Sequence, residues 1–301
     1  MRPGHRSERR LAGVLLMPAL AALAVFQYVP MYGLTIEFRE FSWRAPFRGP
    51  SAGMVHFSRL LQDPAFVRAA GNTVVYSLAA GTLMAVGALV VAGVFHLKGT
   101  SNGKPSFSTL VMAPSFLSWV VVSLIVTRLL AFRGPVNRLL VATNLRATEL
   151  PFLTTAGLFR AVFAITAVWK HVGMLAFVIW TLLQQSDSSI RDAAAIDGLG
   201  RLGTFVRIEL GMLRPQVVAL TLLFMLLLFD SMGEQALSIG TAAVRSSAEV
   251  IESYGYRIGV QRGRWPLAVA GSVVSAFIRA PIAALLLIAA HRVRRHEGGS
   301  R

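Results

Sequence analysis

The sequence predicts an all-α, polytopic membrane protein with six transmembrane helices. Of its 301 residues, 54% are hydrophobic and only 15% are charged, with a mean hydropathy of +0.60; about 25% charged residues is usual in soluble domains. Six apolar stretches each approach the roughly 20 residues that a helix needs to cross a bilayer. Because backbone groups in lipid must be hydrogen-bonded internally, we expect these stretches to be helices.

The predicted spans divide the chain into a membrane domain over residues 11–290 and two short tails, 1–10 and 291–301. The fifth span is the shortest and is expected to recruit flanking residues. The spans lie at about residues 11–29, 73–95, 110–130, 161–183, 217–232 and 267–290.

The first span has an alternative interpretation. Residues 6–26 have a basic start, an apolar run and the pattern Ala22-Leu23-Ala24, which are typical of a cleavable signal peptide. The apolar run, however, continues through Tyr28, and no polar break follows it. We therefore interpret it as a retained transmembrane helix.

Both ends of the chain are basic, since residues 1–10 and 291–301 contain four arginines each. An even number of spans places both ends on one side of the membrane, and the positive-inside rule assigns that side to the cytoplasm. Lys and Arg are about equally numerous in total on the two sides. The inner segments are shorter, however, and their higher density of basic residues decides the orientation.

Composition and motifs argue against several other classes of protein. The net charge of +16 would suggest nucleic-acid binding in a soluble protein, but we expect no nucleic-acid partner for a membrane protein of this kind. The chain has no cysteine, and its six histidines lack metal-binding spacing. Residues 99–106 are similar to a phosphate loop, but Pro105 stands where Ser or Thr would contact magnesium. The sequence thus predicts no enzyme, no metal site and no cofactor on this chain.

Three ionisable residues fall inside predicted spans, namely Lys170, Asp230 and Arg279. Such residues are costly in lipid and mark substrate paths or ion pairs. Lys170 and Asp230 have an alternative role at the membrane interface, where long or terminal polar groups reach water. Arg279 is far from either surface, two residues before Pro281, so we expect it to line a polar path or to pair with an acid such as Asp230.

The loop over residues 185–215 joins the fourth and fifth spans, and its pattern predicts two short, rigid helices. Ser189 and Asp192 match a capping box at the start of the first helix. Gly198 and Gly200 suit its C-terminal turn, where a left-handed backbone favours glycine.

The second helix of the loop is predicted over residues 202–210, and Pro215 begins the next span, an acceptable first-turn position. The helix is amphipathic. The apolar residues near one of its faces are Leu202, Phe205, Val206 and Leu210.

This loop resembles a motif of the permease subunits of ATP-binding-cassette (ABC) importers, written E-A-A-x-x-D-G-A and followed after a spacer by I-x-L-P. Asp192-Ala193-Ala194 matches E-A-A with Asp in place of Glu. Leu199 replaces the motif alanine, and Gly211 replaces the motif proline. The other matching residues are Asp197, Gly198, Ile208, Leu210 and the family proline Pro215.

Blocks along the rest of the chain extend the resemblance in order. They are similar to carbohydrate-importer permeases of the MalF type, and most of all to the LplB-like subgroup that is linked to oligosaccharide uptake. The resemblance implies the type I ABC importer permease fold. The blocks are residues 28–41, 56–77, 113–122, 134–140 and 249–260.

The resemblance also implies partners. The chain would form half of a heterodimeric pore with a second permease subunit in a bacterial plasma membrane. A cytoplasmic ABC ATPase dimer would hold ATP and Mg²⁺, and an extracellular solute-binding protein would deliver a sugar or oligosaccharide. The loop residues expected to couple to the ATPase are Asp192, Ala193, Ala194, Asp197, Gly198, Ile208 and Leu210.

Sugar sites combine aromatic faces with polar groups, so residues of both kinds within the spans are candidates for the translocation path. Trp180 is a further tryptophan within a span, and packing or contact with the lipid interface is the alternative for any one of these indoles. The candidate path residues are Trp119, Trp169, Lys170, Asp230 and Arg279.

Two other functions are compatible with a chain of this composition. One is a cassette-importer permease for a solute other than a sugar, although the blocks outside the loop argue against it. The other is a secondary transporter, which has no use for such a loop and places its coupling-ion residues in discontinuous spans.

Overall fold

The structure, a computed structural model, describes residues 4–45, 47–98 and 106–298, and the chain is helical through most of them. Within these ranges the only extended pairing is an isolated antiparallel bridge between Arg39 and Ser51. The all-α prediction is confirmed. The α-helices are α1 Gly4–Leu23, α2 Val29–Met31, α3 Val55–Gln62, α4 Pro64–Lys98, α5 Ser106–Met112, α6 Trp119–Leu129, α7 Pro135–Ala142, α8 Ala156–Gln184, α9 Ser188–Ile196, α10 Arg201–Thr204, α11 Leu210–Met212, α12 Arg214–Ile239, α13 Arg245–Ala248, α14 Ile251–Tyr256 and α15 Trp265–Gly298.

Five stretches of the described helices are long and apolar enough to cross a membrane. Two further helices, which meet at a sharp bend, pass the same test only as a pair, and the count is six when that pair is taken as one broken span. The fifth span is longer than predicted because it includes flanking residues on both sides, as expected from its short apolar run. The five straight candidates are Leu15–Phe38, Pro64–Lys98, Ala156–Gln184, Arg214–Ile239 and Trp265–Val293.

The third span is not the single helix that was predicted over residues 110–130. It consists of Thr109–Phe116 and Trp119–Leu129, which meet at 106°. Two residues explain the break: Pro114 has no N–H to donate within a helix, and Ser118 starts a new helix as its N-cap, accepting a hydrogen bond from the Val121 N–H at 3.3 Å. Apolar composition alone does not reveal such a break.

The chain forms two compact units. The first contains the described residues up to Asp63 together with Gly255–Val273. In this unit the indole of Trp43 packs edge-on against that of Trp265, with ring centroids 6.0 Å apart, and Gly259 permits close approach because a Cβ there would lie 2.7 Å from the Ala268 Cβ.

The second unit contains Pro64–Tyr254 together with the described residues from Val274 onward, and it holds both hydrophobic clusters of the described core. Both clusters run along α4 and α8. One is centred on large side chains such as Trp119 and Phe163. The other surrounds Leu183 and includes Phe205 of the interhelical loop, so this core reaches the loop that carries the motif.

Candidate functional site

The loop between the fourth and fifth spans folds into two short helices, as predicted. The first, α9, has Asp187 as its N-cap, and the Asp187 carboxylate accepts a hydrogen bond from the Ser189 N–H at 2.9 Å. The capping box predicted for Ser189 and Asp192 is therefore wrong. The chain begins the helix earlier with a carboxylate, which is at least as good an N-cap as a serine hydroxyl. The same hydrogen bond holds the pKa of Asp187 below its usual value.

A Schellman turn ends α9. The Gly198 N–H bonds to the Ala195 carbonyl at 3.1 Å, and the Leu199 N–H bonds to the Ala194 carbonyl at 2.9 Å. Gly198 has a φ of +76°, the left-handed conformation that was predicted for it. Gly200 has a φ of −70° and caps the next helix, so its predicted left-handed role is wrong. Two interlocked hydrogen bonds make this turn stiff.

The second short helix contains α10, a π turn over Phe205–Glu209 and α11. Phe205 is buried, and Gly93 of α4 makes room for it because a Cβ on Gly93 would lie 2.9 Å from the ring. Leu202 and Val206 are 62% and 53% exposed. The apolar residues predicted to share one face of this helix therefore do not all pack against the core. A π turn inserts an extra residue into the helical repeat and shifts the faces on either side of it.

Glu209 holds the loop to the membrane helices, although it is not among the predicted residues. Its Oε2 lies 2.7 Å from His96 Nε2 at the end of α4, and its Oε1 accepts a hydrogen bond from Arg191 Nη1 of α9 at 3.4 Å. Glu209 is 1% exposed. The one indication of this role in the sequence is the position of Glu209 between the apolar residues Ile208 and Leu210. A carboxylate that is buried with such neighbours needs a partner.

The motif residues differ in exposure. On α9 and its turn, the two carboxylates Asp192 and Asp197 point outward, as do Ala193 and Gly198. Ala194 is instead buried within the chain. The motif residues of the second helix, Ile208 and Leu210, are half-buried.

Lys170 closes the break in the third span. Its side chain is buried, and its Nζ donates hydrogen bonds to the carbonyl oxygens of Leu117 at 2.5 Å and Ser115 at 3.2 Å. These carbonyls lie where the first half of the span ends, and the negative end of a helix favours a cation. The hydroxyl of Ser115 in turn donates to the Lys170 carbonyl at 2.7 Å.

Two more residues fit the bent span to α8. The Lys170 ammonium lies 5.5 Å from the centroid of the Trp119 ring, within the range of a cation–π interaction. Gly173, one turn further along α8, touches the first half-helix directly, because a Cβ there would come within 1.9 Å of the Val111 carbonyl oxygen. The broken span therefore depends on two positions of another helix.

A charged cluster lies between α12, α14 and α15. The Arg279 guanidinium forms an ion pair with the Asp230 carboxylate, as the sequence suggested. Its second terminal nitrogen contacts the Ser275 hydroxyl at 3.1 Å and Glu252 Oε1 at 3.4 Å. Gly233 lets α14 approach α12, since a Cβ on it would meet the Glu252 Cβ at 2.5 Å. Glu252 was not predicted because it belongs to a loop in the sequence.

The chain between α12 and α14 is pinned to α4 by side chains on one face of that helix. The Asn72 amide donates to the carbonyls of Ser246 and Glu249, both at 2.9 Å. Tyr76 donates to the Ser247 carbonyl at 2.5 Å. These bonds satisfy backbone groups that no regular helix pairs.

The predicted path residues are thus brought together as two pairs. Lys170 and Trp119 are buried at the break, and Asp230 and Arg279 form the ion pair of the charged cluster. Trp169 is 41% exposed on the surface of the chain.

No protein-family model matches the chain. Comparison with known proteins, however, finds relatives that align with most of its length. It is 26% identical over 297 residues to YteP, a polygalacturonan/rhamnogalacturonan transport system permease of Bacillus subtilis, covering 97% of this chain and 89% of YteP. It is 25% identical to LplB of the same organism, covering 85% and 81%. It is also 26% identical to the lactose transport system permease LacF of Rhizobium radiobacter, covering 80% of both chains.

A solved structure has the same fold. A chain of a bacterial alginate ABC transporter, in complex with a periplasmic protein that holds an alginate pentasaccharide, superposes with a TM-score of 0.82 at 26% identity, covering 98% of both chains. A second structure of a bacterial importer of alginate gives a TM-score of 0.79 at 25% identity, covering 96% of both. Sequence and fold agree over nearly the whole chain, and they confirm the resemblance: this multi-pass membrane protein is an ABC transporter permease of the type found in sugar importers.

Proposed function

We propose that this permease imports a sugar or oligosaccharide and that it is driven by a separate ATPase acting through the loop over residues 185–215. The observation that carries the proposal is the stiff helix-turn-helix of that loop, on a chain whose relatives include permeases of saccharide transporters. The chain forms half of the pore, and a second permease subunit completes it. An extracellular solute-binding protein delivers the substrate.

The solvent-exposed side chains of the loop support docking to a cytoplasmic ABC ATPase dimer. Ile196 at the end of α9 is 87% exposed, and Leu202 and Val206 on the second helix are also exposed. Exposed large apolar side chains on a loop between two spans favour contact with a partner protein. The flanking carboxylates Asp192 and Asp197 favour a groove with basic side chains.

The substrate path is proposed to run past the charged cluster. Asp230 keeps a side chain that is 65% exposed while it pairs with Arg279, and an exposed carboxylate within a span is costly in lipid. A water-filled path shared with the second permease subunit removes that cost. Paired carboxylate and guanidinium groups also offer acceptors and donors to sugar hydroxyls.

The length of α8 supports the proposed orientation. Its 29 residues extend over roughly 43 Å, more than the hydrocarbon core of about 30 Å. The loop over residues 185–215 and the residues before α8 therefore lie at opposite membrane faces. With six spans and the loop facing the ATPase, we propose that both termini are cytoplasmic, in agreement with their basic residues.

The test is uptake by the complete transporter in vesicles, with its binding protein outside and ATP inside. We expect accumulation of a saccharide and no accumulation of amino acids or inorganic ions. Accumulation of a non-sugar solute alone would establish the alternative substrate class, and ion-gradient-driven uptake without ATP would establish a secondary transporter.

The role of the loop is tested by Gly198→Trp. Because Gly198 has a left-handed backbone and faces outward, an indole there distorts the turn and obstructs docking. We expect uptake to be abolished while the amount of chain in the membrane is unchanged. Uptake at the normal rate would show that the loop is not the coupling element.

A further inference from the structure

We propose that the Glu209 carboxylate transmits the movement of α9 to the membrane helix α4, so that Glu209 is a positioning residue for transport. This inference rests on the proposed function, in which α9 docks on the ATPase. It assigns the mechanical link between that docking site and the spans to one side chain.

The two oxygens of this carboxylate serve two different helices. Oε2 accepts from the His96 Nε2–H of α4 at 2.7 Å, and Oε1 accepts from Arg191 of α9 at 3.4 Å. Glu209 itself belongs to the π turn before α12. Two neighbouring helices of the loop and the distant helix α4 therefore meet at one group, and a displacement of Arg191 changes the balance of hydrogen bonds at His96.

Few other contacts fix α9 to the spans. Along its nine residues only Ala194 is buried, and Ile190 and Arg191 are half-buried. The side chain of Ala194 is a single methyl group. It can therefore slide against its neighbours, and it forms no directional contact such as a hydrogen bond. The ion pair of Arg191 with Glu209 is the directional contact, and it is shielded from water on the carboxylate side, where Glu209 is 1% exposed.

A cavity beside the carboxylate provides room for this movement. It has a volume of about 290 Å³ and is lined by His96, Arg191 and Glu209 together with Gln184, Arg201 and Thr204. Protein interiors are otherwise close-packed and resist small displacements. This cavity, which apolar side chains such as Leu97 and Leu199 also line, lets Arg191 move with α9 without compressing the core around Phe205.

A static anchor and a transmitting link predict different phenotypes, and Glu209→Gln separates them. The substitution keeps the size of the side chain but replaces one acceptor oxygen by a donor NH₂ group and removes the charge. In the complete transporter we expect ATP hydrolysis within about twofold of wild type but about tenfold less saccharide moved per ATP, since coupling between sites is usually of this size.

Substitutions at His96 provide the second arm. A glutamine side chain at this position retains an N–H donor toward Glu209, so His96→Gln is expected to preserve transport per ATP. His96→Leu has no such donor and is expected to reduce transport per ATP as Glu209→Gln does. Arg207→Gln is the matched control, because Arg207 is exposed in the same π turn and should behave as wild type.

Transport per ATP at the wild-type level in both Glu209→Gln and His96→Leu would overturn the proposal. Equal loss of ATP hydrolysis, assembly and transport in both variants would also overturn it, because that pattern describes an anchor of the fold. If Gly198→Trp blocks uptake while Glu209→Gln and His96→Leu transport normally, the docking role of the loop stands and only the transmission role of Glu209 fails.

Discussion

Lys170 shows how one buried charge can stabilise an interrupted helix. Its ammonium has no carboxylate within salt-bridge distance in the described residues, and its hydrogen-bond partners are the carbonyl oxygens of Ser115 and Leu117. Backbone carbonyls at a helix end carry partial negative charge, and in lipid no water would satisfy them. These hydrogen bonds therefore have two effects: they compensate the burial of the Lys170 ammonium, and they satisfy the carbonyl groups that the break leaves without a partner.

We expect Lys170→Met to destabilise the protein, because the carbonyls of Ser115 and Leu117 lose their donor. Leaving buried acceptors unsatisfied costs about 1–3 kcal/mol in the free energy of unfolding. Thermal unfolding of the purified chain in detergent measures this loss. Trp169→Phe at the exposed neighbouring position is the control, and equal stability of Lys170→Met and wild type would show that the lysine does not hold the break.

Asp187 gives the start of α9 a dependence on pH. Its folded-state pKa is lowered mainly by the hydrogen bond from the Ser189 backbone, so the cap is fully present above the unfolded-state pKa and is lost as pH falls through the lowered value. We expect amide exchange at Ser189, corrected for intrinsic rates, to accelerate at acidic pH.

Two substitutions separate the roles of this carboxylate. Asp187→Asn retains an acceptor, so it should protect the Ser189 amide at all pH values, and Asp187→Ala should leave it unprotected even at neutral pH. Protection that is independent of pH in the wild type would exclude the carboxylate as the cap.

At the scale of elements, close approach of backbone to backbone decides the position of the first half of the third span. Gly173 on α8 lies so near the Val111 carbonyl that a methyl group would overlap it. Side-chain rotation gives no relief, since the opposing atom belongs to the main chain. The two helices must separate or bend to admit any larger residue.

Gly173→Ala is therefore expected to destabilise the chain by about 1–3 kcal/mol, the usual range for an overpacked core. Gly157→Ala is the matched control on the same helix, because a Cβ at Gly157 has open space around it. Detergent thermal unfolding compares the two. Similar midpoints for both variants would mean that α5 adjusts its position freely.

Hydropathy predicts where the chain enters the membrane because each span is a local property of about 20 residues. It does not predict the break after Phe116, because residues 110–130 are mostly apolar and the stabilising Lys170 lies in another span. The role of Glu209 is equally hidden, since its partner His96 is 113 residues away. The motif located the loop, but the true N-cap Asp187 lies outside the motif.

At the scale of the whole molecule, the chain is a permease, and its stretch most similar to a phosphate loop, residues 99–106, has Pro105 where Ser or Thr would contact magnesium. We expect the isolated chain, purified without partners, to hydrolyse no ATP. A phosphate-release assay on the purified chain, with and without the ATPase subunits proposed as its partners, tests this expectation. Hydrolysis by the isolated chain would require a nucleotide site on the permease itself.

The ion pair between Asp230 and Arg279 also has a consequence for biogenesis. The two residues are 49 positions apart and belong to the last two spans. Asp230 is therefore synthesised, and can enter the bilayer, before Arg279. Until the final helix inserts, the fifth helix carries a charge that lipid does not tolerate well. Insertion of the last helix therefore supplies the positive charge that pairs with Asp230.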